Sequence, residues 1–185
     1  MTFYPASLAS SPLEEISGHL DDAEEICDLL EAVADRLPQS VAFACREVSS
    51  ACMHDLPRLY DEIRFALMPI MRARVKEGDA VNTAIIDRLE ADMIHDSARF
   101  CELMELLDCY SMKSNKRLAP DAFGYALRGY FESMRRILLW QREILLPLAE
   151  DLLEESDLER LEEALNHVPR RFPQPEPFER PALVN

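Results

Sequence analysis

The fold is decided by residues 123–152, which read FGYALRGYFESMRRILLWQREILLPLAEDL. Within them, mostly apolar side chains recur at alternating spacings of four and three, namely Phe123, Leu127, Tyr130, Met134, Ile137, Gln141, Ile144 and Leu148. This spacing places one narrow stripe on a single side of a helix and is typical of a bundle interior. Gln141 is the strongly polar member of the stripe. The residues of this stripe are therefore the first candidates for a functional role.

Three further helices are predicted before this stretch. The first begins at Ser11-Pro12-Leu13-Glu14, because Ser11 can cap it, Pro12 suits the first helical position and Glu14 completes a capping box. It ends near Pro38. The second spans about 40–78, and Pro57 is expected to kink or divide it because proline removes a backbone donor. The third spans about 79–112.

Together the four helices predict an all-α chain, folded as an up-down-up-down four-helix bundle over residues 11–155. Residues 1–10 form a short leader without periodicity. The run from Ser156 to Glu159 has the pattern of a second capping box and predicts a short fifth helix over 156–167. Residues 168–185 are dense in proline, so we expect an extended Pro-rich C-terminal tail.

Composition and charge narrow the classes of function. Apolar residues make up 48% of the chain and there are only 4 glycines, which favours helices over glycine-rich nucleotide folds. The 35 Asp and Glu outnumber the 20 Lys and Arg and give a net charge of -15. So acidic a surface repels phosphate backbones and anionic lipid. We therefore expect no binding to nucleic acid or to a membrane surface.

The cysteines and the N-terminal sequence indicate a compartment. None of the 5 cysteines stands in a CxxC pair, so neither a zinc knuckle nor a redox dithiol is indicated. Buried, reduced thiols are the simpler interpretation. No apolar run approaches a membrane span, and the N-terminus lacks the charged-then-apolar pattern of a signal peptide. We expect a cytoplasmic protein.

Two short matches within the chain suggest two similar helical hairpins. Asp22-Ala23 on the first helix corresponds in position to Asp92-Met93 on the third. Likewise the segment 66–69 (ALMP) on the second helix corresponds to 145–147 (LLP) on the fourth. Two hairpins that each need the other's apolar face assemble into one four-helix bundle.

In this order of features the chain resembles the hemerythrin-like, HHE cation-binding family across about residues 15–155. Members of that family carry an Asp-His or Glu-His pair early in helices one and three. Their helices two and four carry His-x-x-x-Glu before an apolar-Phe-Pro ending. The segment 137–147 (ILLWQREILLP) keeps the spacing to its proline, and 59–69 (LYDEIRFALMP) keeps it in the second helix. The resemblance implies a bundle whose centre, in the family, holds two irons.

At the ligand positions the chain departs from the family pattern. The resemblance places there Ala23, Leu59, Ile63, Met93, Ile137 and Gln141. A two-iron site needs carboxylates and imidazoles to offset taking multivalent cations out of water. The six residues supply neither. We therefore expect a divergent, metal-free member without a cofactor, in which the family's iron chemistry is lost.

The polar side chains left near the stripes are candidate core contacts: His19, Asp96, Tyr60 and Tyr130. A relocated metal site made of His19, Asp96 and Gln141 is one hypothesis, but one imidazole, one carboxylate and one amide form a poor ligand shell. The simpler interpretation makes Gln141 a buried amide that hydrogen-bonds to Tyr60, Tyr130, Asp96 or a water. Contact of Gln141 with a bound ligand stays open.

The leading functional hypothesis is a regulatory or signalling module that binds another protein, of unknown identity, through its acidic faces and its tail. The alternative is a sensor in which the former metal space accepts an apolar small molecule or cofactor, because methionine-rich interiors adapt to such ligands. A third hypothesis keeps the two-iron centre, with its ligands in another register. We do not expect an enzyme, because the sequence shows no Ser-His, Cys-His or paired-carboxylate arrangement. A homo-oligomer is left open.

Overall fold

The computed structural model describes residues 11–39, 41–111 and 119–168, and within these ranges all regular secondary structure is helical. We number five helices, two of which contain a π-helical segment. They are α1 (Pro12–Asp35), α2 (Ala42–Asp61, then π-helix Glu62–Leu67, then Met68–Arg74), α3 (Ala80–Ser111), α4 (Pro120–Trp140, then π-helix Gln141–Leu145, then Leu146–Leu152) and α5 (Glu155–His167). The predicted all-α class is confirmed.

Two helix starts follow the capping signals in the sequence. The backbone N–H of Ser11 donates to Glu14 Oε2 at 2.8 Å, and the capping box is formed in both directions. At the start of α3 the N–H of Asn82 donates to Asp79 Oδ1 at 3.1 Å. Gly78, with a φ of 90°, supplies the left-handed turn that separates α2 from α3.

Both α2 and α4 widen into a π-helix just before a proline. In α2 the N–H of Met68 donates to the carbonyl of Ile63, five residues earlier. In α4 the N–H of Leu146 donates in the same way to the carbonyl of Gln141. Each following proline lacks an N–H and would crowd the carbonyl four residues before it, and the wider turn accommodates both effects. The internal match between the second and fourth helices is thus also a structural match.

The first four helices surround one hydrophobic core. Helix α1 packs against α2 and α4, and α3 packs against the same two helices. Helix α5 lies against α1 and against the π-helical segment of α2. Fully buried side chains such as Leu20, Leu56 and Phe123 fill the space between the helices. Burial of each such side chain contributes roughly 1.5–3 kcal/mol, which makes the apolar stripes the main source of stability.

Three arginines spaced seven residues apart on α4 pair with acidic residues of α1. The N–O distances are 2.8 Å for Arg128–Asp35, 2.5 Å for Arg135–Asp28 and 2.6 Å for Arg142–Asp21. The arginine numbers rise as the aspartate numbers fall, so the two helices run antiparallel in a single register. These pairs are half-exposed and contribute specificity more than stability.

Some expected boundaries differ from the structure. Helix α2 continues through Pro57, so this proline does not divide it. Helix α5 begins at Glu155 rather than Ser156, because the capping box is formed by Glu154 and Asp157 and not by Ser156 with Glu159. The Asp157 carboxylate accepts a hydrogen bond from the Glu154 N–H at 3.1 Å and also binds Arg74 at 2.6 Å. These contacts make Glu154 the capping residue, two positions before the expected cap at Ser156.

Other expectations fall outside the described residues. These are the leader over 1–10, most of the loop before α4, and the tail from 169 to 185. Within the described ranges, none of the helices combines the length and apolar character needed to cross a membrane.

Candidate functional site

The six positions that the resemblance marks as former metal-ligand positions all lie inside the helical assembly. Their exposed fractions are 0% for Ala23, 1% for Leu59, 0% for Ile63, 2% for Met93, 7% for Ile137 and 1% for Gln141. Ala23, Leu59, Ile63 and Met93 belong to the continuous hydrophobic core. Ile137 instead reaches a cleft between α3 and α4. Four of the six are therefore packing residues of one core.

His19 on α1 finds its partner on α2. Its Nδ1 lies 2.6 Å from Glu62 Oε2, and the Glu62 side chain is only 3% exposed. Arg58 donates through Nε to Glu62 Oε1 at 2.7 Å and through Nη2 to Glu15 Oε1 at 3.0 Å. Asp96 and Gln141, the other members of the hypothesised relocated metal site, are not among these contacts of His19. The contacts of His19 are those of an ion-paired network between two helices.

This network has the spacing of a metal site but a different charge balance. Glu15, His19 and Glu62 each bring a potential ligand atom to within 4.8 Å of the others. The guanidinium of Arg58 binds both carboxylates, however, and supplies the positive charge that a cation would supply. The geometry thus describes a hydrogen-bonded cluster in which one guanidinium offsets part of the charge of two carboxylates.

A second buried polar cluster lies farther along the core and joins α2, α3 and α4. The hydroxyl of Tyr60 donates to Asp96 Oδ2 and lies 3.3 Å from Met134 Sδ. Asp96 is 1% exposed, and its Oδ1 has no hydrogen-bond partner among the described residues. The hydroxyl of Tyr130 is likewise buried without a well-formed hydrogen bond.

Burial dominates the electrostatics of that cluster. It raises the pKa of Asp96, while the hydrogen bond from Tyr60 and the nearby charges of Arg99 and His95 lower it in part. Burial, with the Asp96 charge as a further cause, also holds the pKa of Tyr130 well above its ordinary value. Both tyrosines therefore remain protonated, and Tyr60 can only donate to the carboxylate.

Gln141 is buried, as its place on the stripe indicates. Its Oε1 has no hydrogen-bond partner among the described residues. Its backbone carbonyl instead closes the π-helical turn by accepting from Leu146. The four candidate polar contacts thus divide into the His19 network and the Asp96 cluster.

The thiols are more varied than the expectation of uniformly buried cysteines. Cys27, Cys45 and Cys52 are buried, but Cys101 is exposed and Cys109 is partly exposed. Burial raises the pKa of both Cys27 and Cys52 to about 12. The two thiols are therefore inert packing residues.

On the surface, a shallow groove of about 300 Å³ runs between α1 and α2. Its lining is half apolar and half acidic, namely Ile26, Leu29, Ala51, Asp22, Glu25 and Asp55. Leu29 is 40% exposed, which is high for a leucine. Asp55 binds its neighbour His54 at 2.8 Å, whereas Asp22 and Glu25 make no ion pair with any described residue.

Sequence reasoning missed Glu62 and Arg58. Both flank the stripe of α2 rather than lie on it, and their partners are 43 residues away on α1. The local signal was the spacing of four between Arg58 and Glu62, which typically marks an exposed ion pair on a helix. Nothing in that spacing indicates that the carboxylate is buried.

Comparison of the chain with protein-family models, with curated proteins and with solved structures found no match.

Proposed function

We propose that the chain is an up-down-up-down four-helix bundle related to the hemerythrin-like family, with a short fifth helix, an extended Pro-rich tail and packing residues at the family's ligand positions. Support comes from the circuit of contacts α1–α2–α3–α4 and from the π-helical turns that precede prolines in α2 and α4. One turn contains Ile63 and the other begins at Gln141, and π-helical turns are frequent at functional sites. In this proposal the family's metal chemistry is absent.

We further propose that its role is non-enzymatic: a cytoplasmic regulatory or signalling module that binds another protein through the groove between α1 and α2. The observation that carries this role is the groove's mixture of exposed apolar surface with unpaired carboxylates. Leu29 and Ala51 offer contact area, and Asp22 and Glu25 offer uncompensated negative charge. A helical peptide segment with an apolar face bordered by Lys or Arg fits both features.

The overall charge supports the same kind of partner. A net charge of -15 attracts basic segments from a distance and speeds their encounter with the groove. The same charge disfavours nucleic acid and anionic membranes as partners. The alternative in which an apolar small molecule occupies the bundle centre has less support, because Ala23, Leu59 and Met93 are at most 2% exposed and packed in the core.

The test uses a synthetic amphipathic helical peptide with leucines on one face and lysines on the other, titrated into ¹⁵N-labelled protein. We expect saturable amide shifts centred on Asp22, Glu25, Leu29 and Ala51, and weaker binding as salt rises. A peptide with glutamates in place of the lysines should not bind. Shifts centred on another face would refute the groove as the docking surface.

Matched variants distinguish the effect of the groove's own charges on peptide binding from the effect of the overall negative charge. The double substitution Asp22→Asn with Glu25→Gln should weaken peptide binding about tenfold, or about 1.4 kcal/mol. Glu102→Gln with Glu105→Gln removes the same charge from exposed positions of α3 and should leave affinity nearly unchanged. Equal losses in both variants would mean that the attraction is nonspecific.

The third hypothesis, a two-iron protein, is tested separately. Elemental analysis of protein purified without chelators should find no stoichiometric iron. Stoichiometric iron would end the proposal that the ligand positions are lost, whatever the peptide does.

A further inference from the structure

A cleft of about 380 Å³ opens between α3 and α4, on a different face from the groove between α1 and α2. Its α3 wall is formed by Arg88, Leu89, Asp92, His95 and Asp96, which recur at helical spacing along one side. The volume is in the lower part of the range of pockets that hold small organic ligands. A metabolite-sized molecule could therefore fit.

Asp96 lies in the wall of this cleft and is the one member that is both charged and almost completely buried, at 1% exposure. Its Oδ2 is satisfied by the hydroxyl of Tyr60, but its Oδ1 has no partner. An unpaired carboxylate oxygen in such a place is costly, because it has lost water without gaining a donor. Oδ1 is itself closed to solvent, so a donor in the cleft reaches it through a shift of the wall residues, and its arrival would remove that cost.

The α4 wall consists of Ser133, Arg136, Ile137 and Trp140. Arg136 is exposed, and its only hydrogen bond among the described residues is to Ser133 Oγ at 3.3 Å, a weak contact. Arg88 and Asp92 neutralise each other in an ion pair of 2.9 Å. What remains is an unsatisfied anionic group in the wall and an unengaged guanidinium near the mouth.

The same cleft also has apolar lining residues. Ile137 is 7% exposed, Leu89 is buried, and Trp140 is 41% exposed, which is unusual for so large an aromatic ring. An indole face of this kind offers stacking surface and attracts cations.

We propose that this cleft binds a small amino-acid-like zwitterion, with its ammonium group on Asp96 Oδ1, its carboxylate on Arg136 and its apolar body against Ile137 and Trp140. The order of charges in the cleft, negative inside and positive outside, selects for such a molecule over a simple cation or a simple anion. The site is independent of the proposed peptide groove and of any metal.

The chain contains 1 tryptophan, so Trp140 reports on the cleft without interference. The probes are L-phenylalanine and its two truncated relatives, 3-phenylpropionate, which lacks the amine, and 2-phenylethylamine, which lacks the carboxylate. We expect a saturable change in Trp140 fluorescence with L-phenylalanine at millimolar concentration or below, and at least about tenfold weaker binding of each relative. The absence of a saturable response to all three would overturn the proposal.

Two substitutions test the orientation. Arg136→Gln should weaken L-phenylalanine and 3-phenylpropionate about tenfold and leave 2-phenylethylamine unchanged, and Asp96→Asn should give the opposite pattern. Arg36→Gln, an exposed arginine at the end of α1, is the control and should change nothing. If Asp96→Asn fails to fold by circular dichroism, Arg136→Gln still decides, because equal weakening of phenylalanine and phenylethylamine contradicts the assigned contact.

Discussion

Glu62 shows how a single buried charge can link two helices. Its Oε2 lies 2.6 Å from Nδ1 of His19 on α1. Its Oε1 accepts a hydrogen bond at 2.7 Å from Nε of Arg58 on the same helix, α2. Removal of the carboxylate leaves the His19 imidazole without its partner and leaves Arg58 with Glu15 as its remaining acceptor. We predict that Glu62→Ala lowers the free energy of unfolding by about 2–3 kcal/mol, because it breaks charge-assisted bonds that are shielded from water. Urea denaturation followed by circular dichroism measures the loss.

The control for this prediction is an ion pair of similar length on the surface. Arg72 and Glu90 are 2.7 Å apart with side chains 38% and 34% exposed. Glu90→Ala should cost less than about 1 kcal/mol, since solvent screens such pairs. Losses of the same size in the two variants would mean that the Glu62 network is no more than a surface pair.

Asp96 should make the free energy of unfolding fall as pH rises, which is opposite to the usual effect of a carboxyl group. Burial raises its pKa above the ordinary value of 3.8, against the lowering effects of Tyr60 from α2 and of Arg99 and His95 from α3, while Tyr130 faces it from α4. The folded state therefore keeps the proton to higher pH than the unfolded state. As pH rises from the unfolded pKa to the folded pKa, Asp96 destabilises the fold, and the penalty is constant above that.

We predict that Asp96→Asn, which cannot ionise, gains stability relative to the natural chain over that pH window. The measurement is the difference in unfolding free energy between the two proteins from pH 4 upward. Asp92→Asn removes a neighbouring carboxylate of α3 whose side chain is 37% exposed, and it serves as the control variant. A difference that is flat in pH would mean that Asp96 titrates normally.

The sequence indicated which side chains of this region are buried better than it indicated what they touch. Asp96 and Gln141 were predicted as interior polar groups from their place on apolar stripes, and Tyr60 from its place beside one, and all three are buried. Their partners depend on helix rotation and register, which one-dimensional spacing does not fix. Glu62 was missed altogether, because an i,i+4 pair carries no information about burial.

At the scale of helices, each of the two π-helical turns determines which side of its helix the following residues face. A π-helical turn holds one residue more than an α-helical turn, so its removal should restore regular hydrogen bonding without rotating the rest of the helix. We predict that deletion of Glu143, an exposed residue in the segment Gln141–Leu145, lowers stability by less than about 2 kcal/mol. Urea denaturation and the hydrogen exchange of α4 amides measure the outcome.

A deletion in the regular part of α4 is the matched comparison. Glu132 is also exposed and makes no ion pair with the described residues. Its deletion rotates the part of the helix after the deletion by about 100° relative to the part before it, and this rotation moves buried residues toward solvent. We expect a loss of more than about 4 kcal/mol or no cooperative unfolding. Similar losses for the two deletions would refute the phase argument.

Helix starts were predictable where a recognised cap is present, as at Ser11 and Asp79. The start of α5 was misplaced because its cap is Glu154, a residue type that seldom caps, helped by Arg74 from a distant helix. The π-helical turns were not predicted, since alternating spacings of four and three do not distinguish a widened turn from a regular one. Local chemistry fixes where helices begin, and tertiary contacts fix the rest.

For the whole molecule, the central question is whether the interior is filled or open. Ala23, Leu59, Ile63 and Met93 come from three helices and meet in one continuous core. In a filled core, each side chain is surrounded by neighbours at van der Waals distance, so its removal forfeits those contacts and leaves a void. In a chamber built to receive an apolar ligand, the same removal would only enlarge space that already exists.

We predict that Leu59→Ala, at a residue 1% exposed, lowers the free energy of unfolding by about 2–5 kcal/mol, the range for truncations that leave a cavity. The control is Leu139→Ala, the same chemical change at a leucine that is 56% exposed, where the loss should stay below about 1 kcal/mol. Both are read from urea denaturation at equal protein concentration. If Leu59→Ala costs no more than Leu139→Ala, the centre is not close-packed, and a ligand in the former metal space becomes the better account. A loss in the cavity range leaves the outer faces, the groove between α1 and α2 and the cleft between α3 and α4, as the places where binding can occur.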